Sequence, residues 1–361
     1  MQIDLANVIY MNILILSKYN REGASSRYRF YNYIPYFDKN NIKYDIKPLL
    51  NDKYILKLYE KKMTLVKLLR IYSILKRIFY LEFNYCNYDL IIIEKELFPN
   101  IPFIIEKILL KNKRFVLDFD DYIANSYKTI FLKRIFLENK IDKLARIAKF
   151  VTVGNHWYFN EIKSNNLIYL PTVINLENYP KVKQNFQTNV VTIVWIGSPT
   201  TGKYLQAIVP VLQKLAKSHS IRLKVIGAHF KIDNVDCKIV DWDEQTEIEE
   251  LLSSDIGIMP LANTIWEKGK CGFKLVQYMA CGLPVVASIA PANEEIVDDG
   301  VNGFLVRNED EWYFALEKLI LNGKIREEFG IAGRKKIEQN YSYQFWGDRY
   351  CNLLINGNLH D

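Results

Sequence analysis

The chain predicts an α/β protein built as two Rossmann-like domains, on three observations. Apolar, β-branched runs alternate with helical stretches along nearly its whole length. Polar loops carrying small residues stand at the carboxyl ends of several of these runs. A polar, aperiodic stretch ending near Asn189 separates two halves that each open as strand, small-residue loop, helix. The 361 residues suit about two domains, and 49% hydrophobic with 25% charged residues is ordinary for a folded protein.

The net charge of +7 favours acidic partners without choosing among them. Between Lys53 and Leu81 eight basic residues face one acid, Glu60. These charges do not share one clean helical face, so the segment reads as an imperfect amphipathic helix or as two helices. It suits an anionic membrane surface, and equally a half-buried helix pair whose lysines reach water. The five cysteines lack CxxC spacing and the four histidines lack ligand spacing, which speaks for a reducing compartment and against zinc. No apolar run reaches the roughly 18–20 residues of a membrane span. No signal peptide is expected, and the start is either Met1 or Met11. No nucleic-acid-binding motif accompanies the basic excess.

In the first half, residues 12–17 read as the first strand. The loop Lys18 to Ser26 and a helix from Arg27 follow, without GxGxxG. Residues 89–93 and 114–117 are further buried strands. Glu94-Lys95-Glu96 and Asp118-Phe119-Asp120-Asp121 close them at the edge where α/β ligands bind. Asp118 and Asp120 share a side by strand alternation, and such crowded carboxylates need cations or donors. A lone His156 at the next strand end reads first as structural, although that edge faces ligands.

In the second half the strand 190–196 runs into Gly197-Ser198-Pro199-Thr200-Thr201-Gly202-Lys203 and a helix to about Ser218. Backbone N–H groups and Lys203 there could cradle a diphosphate, but Tyr204 rules out a P-loop. Later, Gly269-Lys270-Cys271-Gly272 opens a helix from Phe273, Cys281-Gly282 stops it, and a strand follows. Free N–H groups with Lys268, Lys270 and Lys274 around them suit an anion. An ordinary buried helix with solvated lysines is the competing reading.

The stretch Lys268 to Ser288 resembles the donor-site motif of the family-4 retaining glycosyltransferases, E-x-F-G-x-x-x-x-E-A-M-A-x-G-x-P-V. Residues 278–285 match its second half and Gly272 its glycine, while its glutamates fall on Gly269 and Gln277. Lys274-Leu275 fits a subgroup of bacterial surface-glycan enzymes, as do Gly23 to Arg29 and the D-F-D-D segment. The family's loop lysine matches Lys203, and its arginine falls on Ser198. The resemblance extends from Met11 to Leu354.

It implies a GT-B fold: an acceptor-side domain over 1–172, a linker over 173–189, a nucleotide-sugar domain over 190–341, and 342–361 packing back on the first domain. It implies transfer of a sugar from a nucleotide-diphosphate sugar to a glycan or lipid-linked acceptor, in the cytoplasm or on the inner membrane face, without metal or cofactor. Lys203 and Lys274 would stabilise the leaving diphosphate, and Asp120 replaces the family's sugar-contacting histidine. Gly197, Ser198, Trp242, Lys270, Gly272, Phe273 and Gln277 complete the donor site, Gln277 on the ribose and Trp242 either near the base or as a structural tryptophan. Gly23, Ala24, Arg27, Arg29, Asp118, Asp121 and His156 fall on the acceptor side, where Arg27 and Arg29 read equally as phosphate clamps and as a solvated helix start. The altered motif positions motivate a second reading, a non-catalytic binder with a degenerate donor site. A sugar-nucleotide epimerase of this fold is a third.

Overall fold

The computed structural model describes residues 11–357, apart from positions 53, 55, 56, 58–61, 129, 130, 181, 184, 185, 187 and 188. The choice between Met1 and Met11, and part of the basic segment 53–81, lie outside the described residues. The chain divides into two compact units. One runs to Thr172 and resumes at Gly347; the other is Val173–Trp346.

The first unit holds a six-stranded parallel sheet: β1 (Met11–Leu16), β2 (Ile42–Ile46), β3 (Leu90–Glu94), β4 (Phe115–Phe119), β5 (Val151–Val153) and β6 (Leu167–Tyr169). Their spatial order is β2-β1-β3-β4-β5-β6. β3 and β4 are buried along their whole length, as expected of parallel strands covered on both faces. Helices α1 (Ala24–Arg29) and α2 (Ile34–Lys39) connect β1 to β2. α3 (Met63–Asn84) leads to β3, α4 (Phe103–Leu109) to β4, and α5 (Asn125–Lys128), α6 (Phe131–Leu137) and α7 (Lys140–Ile147) to β5, with α8 (Tyr158–Glu161) before β6. From β2 onward the crossovers advance in one direction along the sheet. Right-handed connections therefore place α3, α4 and α7 on one face, and α1 and α2 on the other.

The second unit repeats the plan with β7 (Val191–Ile196), β8 (Ile221–Ile226), β9 (Asp236–Val240), β10 (Ile256–Met259), β11 (Val285–Ser288) and β12 (Gly303–Val306), ordered β12-β11-β10-β7-β8-β9. Its helices are α9 (Val209–Ser218), α10 (Glu247–Leu252), α11 (Ile265–Lys268), α12 (Phe273–Ala280), α13 (Pro291–Ile296), α14 (Glu309–Leu321) and α15 (Gly323–Asn340). The turn Gly202–Ile208 before α9 is 3-10, where the sequence suggested continuous helix. Pro210 supplies no N–H and so suits the start of a new helix rather than the middle of a long one.

The described residues of 173–189, the stretch read as a linker, belong to the second unit. Ile174, Tyr179 and Phe186 are buried in a core shared with α12 and β11. The last helix, α16 (Tyr343–Asn356), begins in the second unit and continues in the first. There Tyr350 meets Tyr33 edge-on with ring centres 4.8 Å apart. Gly347 is necessary at this docking, because a Cβ would stand 2.2 Å from the Tyr36 ring.

Candidate active site

In the second sheet, β7 lies between β8 and β10. The crossover that leaves β7 and the one that leaves β10 run in opposite directions. The carboxyl edge between these strands is thus uncovered, the place where open α/β sheets take ligands. Gly197 follows β7 there and α12 starts there.

Glycine is favoured at both points, by backbone conformation at Gly272 and by close side chains at Gly197. Gly272, which precedes α12, has φ +64°, and a Cβ would come 2.4 Å from Ile296 Cδ1. At Gly197 a Cβ would stand 2.7 Å from Lys274 Nζ, so the glycine makes room for the ammonium. Lys274 Nζ also lies 4.0 Å from the centre of the Trp195 ring, a cation–π contact. Burial, with the like charge of Lys270 second, pushes the Lys274 pKa down from 10.5 to about 7. No carboxylate pairs with it among the described residues. A desolvated cation beside a helix N-terminus is suited to a phosphate.

Trp242 and Gln277 meet through a residue the sequence reading missed. Glu247 of α10 accepts from Trp242 Nε1 at 2.6 Å and from Gln277 Nε2 at 3.3 Å. No motif marks Glu247; its signal was its place in the acidic first turn of a helix beside Trp242. Ser198 is half-buried, with its hydroxyl 2.9 Å from that of Thr200. Phe273 packs against the core under α12. Lys203 is exposed and borders a recess of about 570 Å³ with Trp266 and Glu267. Glu267 is held by Tyr204 and Thr264. The Lys270 ammonium lies 5.9 Å from the Trp266 ring.

The first sheet has its own switch point, between β1 and β3. Glu94 closes β3, and its Oε2 accepts from Ser26 Oγ at 2.6 Å and from the Lys18 backbone at 2.7 Å. Lys95 follows with φ +66°, and its ammonium lies 2.8 Å from Asp120 Oδ1 and 2.9 Å from Asp121 Oδ2. Burial opposes the ammonium, but Asp120, Asp121 and Glu94 together hold its pKa well above the usual value. Burial, then the charge of Lys95, lowers that of Lys18. The cavity bordered by Lys18, Glu94 and Lys95 measures only about 10 Å³.

Three acceptor-side residues, Arg29, Asp118 and Arg27, are buried. Arg29, read as a phosphate clamp, is 1% exposed and paired with Asp118 through both Nε, at 2.9 Å, and Nη2. Its Nη1 donates to the Leu170 carbonyl at 2.7 Å. Asp118 is equally buried and also accepts from Thr152 Oγ1 at 2.5 Å. Strand alternation turned Asp118 inward, so this pair holds β4 to α1 and to the end of the first unit. Arg27 is buried as well, its guanidinium 5.0 Å from the Tyr28 ring. Gly23 precedes α1 and packs on Tyr19, where a Cβ would come within 2.4 Å of Tyr19 Cβ; Ala24 is exposed beside it. His156 is exposed and stacks on Tyr169 with ring centres 4.1 Å apart. Among the described residues no group of three His, Cys, Asp or Glu could hold a metal ion.

Residues 176–322 match the family model described as glycosyl transferases group 1. The match covers most of the second unit. The chain is 23% identical over 291 residues to an uncharacterized glycosyltransferase of Methanocaldococcus jannaschii, covering 72% of each. The crystal structure of Anabaena HepE with UDP and glucose is similar, at TM-score 0.66 and 15% identity, over 96% of this chain and 99% of that one. Sucrose-phosphate synthase of Thermosynechococcus elongatus gives TM-score 0.69 at 12% identity, over 96% and 98%. With its two six-stranded parallel sheets, the chain has the GT-B fold.

Proposed function

We propose that the protein is a retaining glycosyltransferase. It would move a sugar from a nucleotide-diphosphate sugar to a glycan or lipid-linked acceptor in bacterial surface polysaccharide synthesis, as a peripheral protein on an anionic membrane face. The carrying observation is the desolvated Lys274 ammonium against Gly197, at the start of α12 and without a carboxylate partner. A diphosphate supplies the charge that this arrangement lacks. The Anabaena neighbour is described with UDP and glucose, which favours a uridine nucleotide as donor.

In the reaction the sugar C1–O bond to the diphosphate breaks and an acceptor oxygen bonds C1 on the same face. The acceptor proton passes to the leaving phosphate. Lys274 and Lys203 stabilise the charge developing on the diphosphate, with the α12 N-terminus beside them. Gln277 bonds the ribose and Trp242 contacts the base. The first unit takes the acceptor. No resident metal or cofactor is required. A specific observation favours a second reading, a binder without turnover: the Gln277 amide, where the motif has glutamate, is already held by Glu247.

The test is a thermal-shift screen with UDP-, GDP-, ADP-, CMP- and TDP-sugars, with and without magnesium. One nucleotide class should raise the midpoint independently of metal. No shift with any of them would overturn the donor site. A shift without transfer to any acceptor would leave the binder.

A further inference from the structure

The helix α3 carries hydrocarbon on its outer side as well as its core side, and buries a charge. Its core side carries Val66, Leu81 and the buried Arg77, whose Nη2 donates to the carbonyls of Ser17 at 2.6 Å and Lys47 at 2.8 Å. Its outer side carries Leu68, Tyr72, Leu75, Phe79 and Phe83, spaced 4, 3, 4 and 4 residues apart and therefore on one stripe. Phe79 is 64% and Phe83 80% exposed. A stripe facing water at this spacing is the reverse of what core packing selects. The neighbouring helix on the same sheet face, α4, exposes Ile104, Ile105 and Ile108. α6, which packs on α7 beside α4, exposes Phe131, Ile135 and Phe136. Most of the large exposed hydrophobic side chains of the described residues belong to these three helices.

Charge accompanies the hydrocarbon. Lys67 and Lys76 are exposed at the edges of the α3 stripe, with Lys107 on α4 and Arg134, paired with Glu138, on α6; Glu82 is the one exposed acid on α3. On α4 the acid faces in: Glu106 is buried against Lys140. Apolar side chains rimmed by exposed cations fit the boundary between acyl chains and anionic headgroups. A second copy of the chain would bring like charges together. Among the described residues no helix is long and apolar enough to cross a membrane, so the protein would lie on the bilayer.

We infer that α3, α4 and α6 form a membrane-docking face that seats the first unit on an anionic bilayer. The inference rests on the reading of a lipid-linked acceptor, since docking would hold the acceptor-side unit where such a substrate lies.

The experiment is co-sedimentation of the full chain with vesicles of phosphatidylcholine containing phosphatidylglycerol, and with phosphatidylcholine alone. Binding to the anionic vesicles should weaken as salt rises, because the cations at the rim are screened. It should fall at least tenfold in a Phe79→Ser/Phe83→Ser variant. Both side chains are exposed, so the variant should keep its melting midpoint and its nucleotide-induced shift. Absence of binding, or binding untouched by the double substitution, overturns the docking face. So does a dimer in solution that the same substitution dissociates. The nucleotide shift on the same samples reports the donor site separately: vesicle binding without a nucleotide shift defeats the glycosyltransferase reading and leaves the docking surface standing.

Discussion

The two units present the same topological opening and fill it in opposite ways. In the first, a lysine at the switch point is surrounded by Asp120, Asp121 and Glu94, and its pKa is held high. In the second, Lys274 has Trp195 and Gly197 beside it and a pKa pushed down to about 7. A cation with its counter-charges built in contributes to the fold. A cation without them destabilises the empty protein and waits for an anion. A strand end between diverging crossovers is therefore only an opportunity, and the charge balance around it decides its use.

The largest test of this contrast is Lys95→Met. It leaves three carboxylates in one crevice without their ammonium, and breaking a buried ionic cluster from one side costs about 3–5 kcal/mol. The melting midpoint should fall steeply at neutral pH and recover partly in acid, as the carboxylates protonate. An unchanged midpoint would mean that the crevice is more solvated than its geometry implies. Nucleotide affinity per folded molecule should not change.

Lys274→Met should do the reverse. The ligand-free protein should melt no lower, because a desolvated charge is gone. Nucleotide affinity should drop at least tenfold, since one charge-assisted hydrogen bond to phosphate contributes about 1.5–3 kcal/mol. pH sharpens the comparison. The Lys274 pKa in the native state lies below its value of 10.5 in an exposed chain, so between about 7 and 10.5 the unfolded state binds more protons. Its contribution to stability therefore rises with pH across that window. A bound diphosphate favours the ammonium and binding takes up a proton. Nucleotide affinity should fall as pH rises above about 7, by no more than about tenfold per unit. The wild type should show that slope and Lys274→Met should lose it. A slope that survives the substitution belongs to another group.

Much of this arrangement was legible in the chain. Apolar runs located β3, β4 and β7, because parallel strands buried on both faces need continuous hydrocarbon. Gly197 and Gly272 were found by pattern, and the structure supplies the reason in a close ammonium and a left-handed turn. Pairing was not legible. Arg29 and Asp118 are 89 residues apart and looked like ligands because charge near a strand end carries no sign of its partner. The outward face of α3 was obscured for a similar reason. Its lysines spread around the helix, and the burial of Val66, Arg77 and Leu81 shows which side is the core. Sequence periodicity gives the angle of a stripe and not the direction in which it points.

The smallest effect concerns how the second unit holds its uncharged contacts. Glu247 accepts from both Trp242 and Gln277, so it fixes two residues that the donor reading assigns to base and ribose. Glu247→Gln keeps the size and exchanges a charged acceptor for a neutral one. One such bond contributes about 0.5–1.5 kcal/mol, so the loosened Trp242 and Gln277 should cost nucleotide affinity a fewfold. Inorganic pyrophosphate, which reaches neither residue, should bind as before. The ratio of the two affinities, taken by competition on wild type and variant, isolates the effect. If both ligands weaken equally, Glu247 supports α12 and Lys274 rather than the nucleoside contacts, and the division between charged and uncharged halves of the donor site fails. If only the nucleotide weakens, the second unit uses the Lys274 ammonium for the phosphates and a shared carboxylate to place the nucleoside contacts.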